Sequence, residues 1–180
     1  MKEVEQFSGM SVLDHGRDVF ARYLDLISPE PQLKWRMPDW VEKLKPLQLP
    51  LETMKHYLIY HDCGKPFCRT VDADGRQHFP NHAQVSYDTW MQYAETDEDR
   101  QIGKLILMDM DAHTIKGDAI NEFIKLLPEA PSLIFAALAE IHSNAAWKNQ
   151  LDSDQFKIKW KQIDKIGKRL VANLKEVTVY

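Results

Sequence analysis

The sequence predicts an all-α fold, a single-domain helical bundle, and three observations carry that expectation. Apolar residues recur at spacings of three and four through most of the 180 residues. Pro falls between these stretches rather than inside them, as at Ser28-Pro29-Glu30-Pro31 and Pro128, as helix punctuation does. Only one short region, near residues 67–79, has the turn and β-branched chemistry of a small β-hairpin.

From Ser11 to Ile27 the residues Val12, Val19, Phe20, Tyr23, Leu24 and Ile27 keep helical spacing, and Ser28-Pro29-Glu30-Pro31 ends that run. Residues 32–50 form a Pro- and Trp-containing connection with a short helix near Trp40 to Leu44. Trp35 and Trp40 could stack on a base from there, but core packing is the simpler expectation for large aromatic rings. Thr53 to His61 is a second long helix carrying Met54, Tyr57, Leu58 and Tyr60.

Asp72-Ala73-Asp74-Gly75 opens like a calcium loop, but Ala83 stands where the loop's closing glutamate belongs, so it is a turn. Asn81 is placed to cap a third helix through Val85 and Trp90 to Tyr93. A fourth helix carries Ile102, Leu105, Ile106 and Asp109, and a further piece runs from Gly117-Asp118 to Pro128. Ser132 begins an apolar helix to about Trp147. Phe156 to Leu174 is a basic terminal helix with Ile158, Ile163, Ile166 and Leu170 expected inward and its lysines in water.

Lys and Arg total 23 against 27 for Asp and Glu, a net charge of −4. No broad positive field is available to hold a nucleic-acid backbone, so an anionic ligand would need local attraction. No apolar stretch is long enough to span a bilayer, and MKEVEQFSG lacks the apolar run of a signal peptide, so no membrane partner is expected. Cys63 and Cys68 form no CxxC pair and suit a reducing, cytoplasmic setting.

The chemistry concentrates at Tyr60-His61-Asp62-Cys63-Gly64-Lys65-Pro66, a His-Asp pair ending an apolar helix and followed at once by a turn. Imidazole nitrogen with carboxylate oxygen is a donor set for Zn, Fe, Mn, Co or Ni. His15, His82, His113 and Glu140 each fall in a different predicted helix, as when a bundle builds a metal site between its helices. His56 and His78 have no such context.

These residues resemble the HD-domain metal-dependent phosphohydrolases. The family pattern is an early His, a His-Asp pair commonly followed by Gly-Lys, and a late Asp in an apolar helix. Members with two metals add two further histidines. His15, His61-Asp62 with Gly64-Lys65, His82 and His113 match in order, over a core of about residues 11–147 that precedes the basic helix at 156–174. Glu140, in Leu138-Ala139-Glu140, stands where the family has Asp. His142, Asp109 or Asp111 are alternatives for that late ligand, Asp109 and His113 sharing a face if their helix is continuous.

The resemblance implies one or two divalent metals (Mn, Co, Ni, Fe or Zn, with Mg as a further option) on His15, His61, Asp62, His82, His113 and Glu140. It implies hydrolysis of a phosphomonoester or phosphodiester of a nucleotide or nucleic-acid end by a metal-activated water. Asp62 is then catalytic as well as ligating. Lys65 is a candidate clamp for a phosphate oxygen, with Arg17 and Lys116 weaker candidates. Two alternatives stay open: a di-iron oxygenase on the same scaffold, and a non-catalytic module that binds a nucleotide or partner.

Overall fold

A computed structural model describes residues 1–7 and 9–177. Helix accounts for 62% of the chain, and strand among the described residues is confined to two two-stranded ribbons, so the class is all-α as predicted. The chain packs as two compact units, each discontinuous in sequence: residues 1–20 with 51–110, and residues 21–50 with 111–180.

In the first unit β1 (Glu5–Phe7) pairs antiparallel with β2 (Met10–Ser11) and leads straight into α1 (Val12–Ile27). Ser11 caps α1: its Oγ accepts from the Asp14 amide at 3.1 Å and donates to the Asp14 carboxylate at 2.7 Å. Helices α3 (Leu51–Tyr60), α4 (Lys65–Cys68), α5 (His82–Met91) and α6 (Asp97–Leu107) complete the unit's helical part. A reciprocal capping box between Thr96 and Asp99 starts α6. That helix packs on α3 and α5, burying Ile102, Leu105 and Ile106 with Met54, Tyr57 and Leu58 of α3.

The hairpin at 67–79 is present, β3 (Thr70–Val71) pairing with β4 (Gln77–His78). Asp72 closes its turn by accepting from the amides of Asp74 and Arg76 and from the His78 ring, so the aspartates serve the turn. Asn81 precedes α5 but makes no side-chain cap; its left-handed backbone (φ 52°) turns the chain instead. The fourth helix stops at Leu107, so Asp109 lies in a turn and shares no continuous helix with His113.

The second unit holds the C-terminal part of α1, with Tyr23 and Leu26 buried, then α2 (Val41–Leu44) and a tight turn at Lys45–Leu47. After these come α7 (Asp111–Thr114), α8 (Ala119–Phe123), α9 (Glu129–Trp147) and α10 (Asp154–Val177). Apolar on nearly every side, α9 is buried almost throughout, and α10 packs on it and on α7. It begins three residues before the expected Ser132, because Pro131 is tolerated in a first turn where no amide partner is needed. Ser132 then accepts from the Leu49 amide at 2.9 Å. Trp40 is a core residue, edge-on to Phe135 at 5.5 Å and seated against Gly167 of α10, where a Cβ would overlap the indole.

One inward expectation for α10 fails. Ile158 is 68% exposed, while Phe156, Ile163, Ile166 and Leu170 are buried. Phe156 lies two turns before Ile163 and keeps its phase, whereas Ile158 falls about 140° away from it. Among the described residues no helix is long and apolar enough to cross a membrane.

Candidate metal centre

The His61-Asp62 pair sits where α3 ends. The Cys63 amide bonds the Tyr60 carbonyl and the Lys65 amide bonds the Asp62 carbonyl, turning the chain directly into α4. Two glycines make the packing around this turn close enough to bury it. Gly16, one residue after His15, lies against the backbone of Ile59, and Gly64 lies against the backbone of Val85 and Ser86. A Cβ at either would fall well inside contact with main-chain atoms, which cannot swing aside. Ser86 Oγ accepts the Gly64 amide at 2.9 Å, and the Cys63 thiol donates to the Ser86 carbonyl at 3.3 Å.

The result is a buried polar cluster. His15, His61, Asp62 and Lys65 are 0%, 3%, 1% and 6% exposed, values that demand compensation for every charge among them. Lys65 Nζ donates to Asp62 Oδ2 at 2.6 Å and to Gln6 Oε1 at 2.9 Å, so β1 helps seat the lysine. His61 Nε2 stands 3.2 Å from Asp62 Oδ2, and His82 Nε2 stands 3.8 Å from Oδ1. The His61 ring is met edge-on by the His15 ring at 5.5 Å and by the Tyr57 ring at 6.4 Å. Tyr57 in turn donates to Asp109 at 2.6 Å.

Both imidazoles beside Asp62 are oriented by backbone. His61 Nδ1 meets the Leu58 carbonyl at 2.8 Å and His82 Nδ1 meets the Phe79 carbonyl at 3.2 Å. A carbonyl only accepts, so each Nδ1 carries the proton, and in a neutral ring Nε2 is the lone-pair nitrogen. That nitrogen faces a carboxylate oxygen. Two electron-rich atoms adopt such an approach with a proton or a metal cation between them. Carbonyl-oriented imidazoles beside a carboxylate are the outer arrangement that metal sites use.

Burial pushes the Asp62 carboxyl up, but His61, Lys65 and His15 together outweigh it and hold the group well below the usual carboxylate range. Burial and the nearby Asp62 charge move the Cys63 thiol the other way, up to about 11, so it is an inert packing group. Asp62 Oδ1 is buried and accepts no hydrogen bond. An anionic oxygen in that state is a group that a cation would satisfy, and the surrounding N and O donors fit a divalent transition metal.

Arg17 is exposed and pairs with Asp14 at 3.3 Å, on the far side of α1 from His15; it is not part of the buried cluster. Lys116 is likewise exposed. Within the second unit His113 Nε2 and Glu140 Oε2 stand 3.0 Å apart, and Asn144 donates to Glu140 at 3.3 Å. His142, an alternative late ligand, has both nitrogens engaged, Nδ1 on the Leu138 carbonyl and Nε2 accepting from the Arg36 amide. Sequence reasoning missed Gln6, Tyr57 and Ser86 as supports of the cluster.

No protein-family model matches the chain, and neither a curated protein nor a solved structure with significant similarity was found.

Proposed function

We propose that the chain is a metal-dependent phosphohydrolase, acting on a phosphomonoester or phosphodiester of a nucleotide or oligonucleotide. Its metal would be held by Asp62 with His61, His15 and His82. The observation that carries the metal is Asp62: a buried carboxylate with imidazole Nε2 atoms toward both oxygens, one of those oxygens accepting no hydrogen bond. The phosphoester chemistry rests on the resemblance of His15, His61-Asp62, Gly64-Lys65, His82 and His113 to the HD pattern, which also implies ligand roles for His113 and Glu140.

A divalent cation in such a site supplies Lewis acidity, making a water nucleophilic near neutral pH and polarising a phosphoryl oxygen. The protein's own part is positional. The Leu58 and Phe79 carbonyls hold His61 and His82 with Nε2 inward. Lys65 keeps the Asp62 carboxylate ionised and fixes its rotamer, with Gln6 as its second acceptor. These bonds make Lys65 a positioning residue; a clamp on phosphate would draw on its remaining N–H. Burial excludes bulk water, which strengthens each of these electrostatic contacts.

The test is elemental analysis of the purified protein, with a phosphoester panel assayed under added Mn, Co, Ni and Mg. Phosphate release that requires metal and disappears in folded Asp62→Ala supports the reading. Turnover retained in Asp62→Ala or His61→Ala overturns the site. Bound iron with oxygen uptake and no phosphoester turnover would replace the reaction with an oxygenation.

A further inference from the structure

The second unit contains a cleft that the proposed chemistry does not use. It encloses about 310 Å³, within the range of small-ligand sites. Trp35, His142 and Phe156 form its aromatic floor and wall, and Lys34, Arg36 and Asp152 stand at its rim. The Trp35 and His142 rings meet at 4.4 Å, and Phe156 stands edge-on to His142 at 4.9 Å.

The strut 34–36 belongs to no helix or strand, yet it is fixed at three points. Trp35 Nε1 donates to Asp25 Oδ2 at 2.6 Å, and Asp25 also accepts the amides of Gln32 and Leu33. The Arg36 amide donates to His142 Nε2 at 3.3 Å, and the Arg36 carbonyl accepts from Trp160 Nε1 at 2.7 Å. The Arg36 guanidinium lies 4.3 Å over the Trp160 ring. A half-buried indole is thus held rigid between two basic residues over an uncharged aromatic floor. Lys34 reaches only a loose ion pair with Asp152, 3.9 Å apart with both side chains largely exposed, which an incoming anion can displace.

Flat aromatic surface beside exposed basic side chains is the chemistry that binds a nucleobase carrying a phosphate. We infer that this cleft is a binding site for a nucleoside phosphate, the base against Trp35 and Phe156 and the phosphate on Lys34 and Arg36. The same chemistry is offered by a free mononucleotide and by the end of a single strand. The site lies wholly in the second unit and does not depend on the His61-Asp62 reading.

Isothermal titration of the full chain with AMP, adenosine, inorganic phosphate and a short oligoadenylate, with and without EDTA, tests it. Saturable AMP binding is expected in EDTA, with adenosine and phosphate each weaker by tenfold or more. Trp35→Ala should weaken AMP by about tenfold, in line with base–aromatic stacking. Trp35→Phe, which keeps a ring, should recover most of that, and its circular dichroism controls for misfolding. Lys34→Ala with Arg36→Ala should erase the preference for AMP over adenosine, and Asp152→Asn should tighten AMP about threefold by removing the competing carboxylate. Tighter binding of the oligonucleotide than of AMP would name a strand end as the source, and the reverse a free nucleotide. Absence of saturable binding, or binding lost in Asp62→Ala but unchanged in Trp35→Ala, overturns the inference; the second result would leave the metal-site reading standing.

Discussion

His142 gives a stability signature that follows from its surroundings. It is 1% exposed in α9, with Nδ1–H on the Leu138 carbonyl and Nε2 accepting from the Arg36 amide. Burial, aided by the Arg22 charge and only partly opposed by the Leu138 hydrogen bond, pulls its pKa down from 6.5 to about 4. The sign follows from proton uptake. Above pH 6.5 both folded and unfolded chains are neutral at this residue, and the folded state has no disadvantage. Between 6.5 and about 4 the unfolded chain takes a proton that the folded chain refuses, so stability falls with falling pH. At about 1.4 kcal/mol per pH unit the loss reaches about 3 kcal/mol. For a chain of this length that is about 6–12 °C in melting temperature. The perturbation is His142→Gln, which can still accept from Arg36 but does not titrate. Carboxylates titrate in the same window, so the informative quantity is the wild-type curve minus the variant curve, from thermal melts at half-unit steps between pH 3.5 and 7.5. A difference that is flat above pH 6.5 and changes by about 3 kcal/mol below it is expected. A difference constant across the whole range would refute a buried neutral His142.

Mn or Co at about a hundred times its dissociation constant should stabilise the wild type by about 2.7 kcal/mol, raising its melting temperature by several degrees, and should leave Asp62→Ala unmoved. Lys65→Met removes the closest cation from a buried carboxylate and should cost about 3 kcal/mol in EDTA by chemical denaturation, with a smaller loss when metal is added. Gly16→Ala drives a methyl group into the Ile59 backbone and should destabilise by about 1–3 kcal/mol in the same assay, while Gly9→Ala meets no atom within 4 Å and carries only the strain of its positive φ.

Most helices were legible because periodicity is a local property. Val12 to Ile27 and Leu51 to Tyr60 end within two residues of where spacing and proline place them. The failures have physical causes of other kinds. Asn81 has a capping residue's chemistry, but its left-handed backbone takes it out of capping geometry. Ile158 looks inward on composition and faces water on phase. The β1–β2 ribbon was invisible because two- and three-residue strands leave no periodic trace, yet it delivers Gln6 to Lys65. In the candidate site, motif order singles out His61, Asp62 and His82, and the geometry adds that both imidazoles face the Asp62 carboxylate. The side on which Arg17 falls depended on where α1 is buried, and the single motif spacing from His15 carried no information about that.

An overall charge of −4 and the anionic substrate of the proposed reading would be compatible only through local electrostatics, and the Asp62 cluster has the arithmetic for it. The Asp62 carboxylate and the Lys65 ammonium cancel at 2.6 Å, and imidazoles with Nε2 turned toward a metal are neutral. With a divalent cation bound under the proposed reading, the cluster would carry a surplus of two positive charges in a buried, weakly screened setting, while the chain as a whole carries a net charge of −4. Phosphate affinity should then track metal occupancy rather than surface charge. Raising the salt concentration should weaken it far less than it would weaken a site built from exposed lysines.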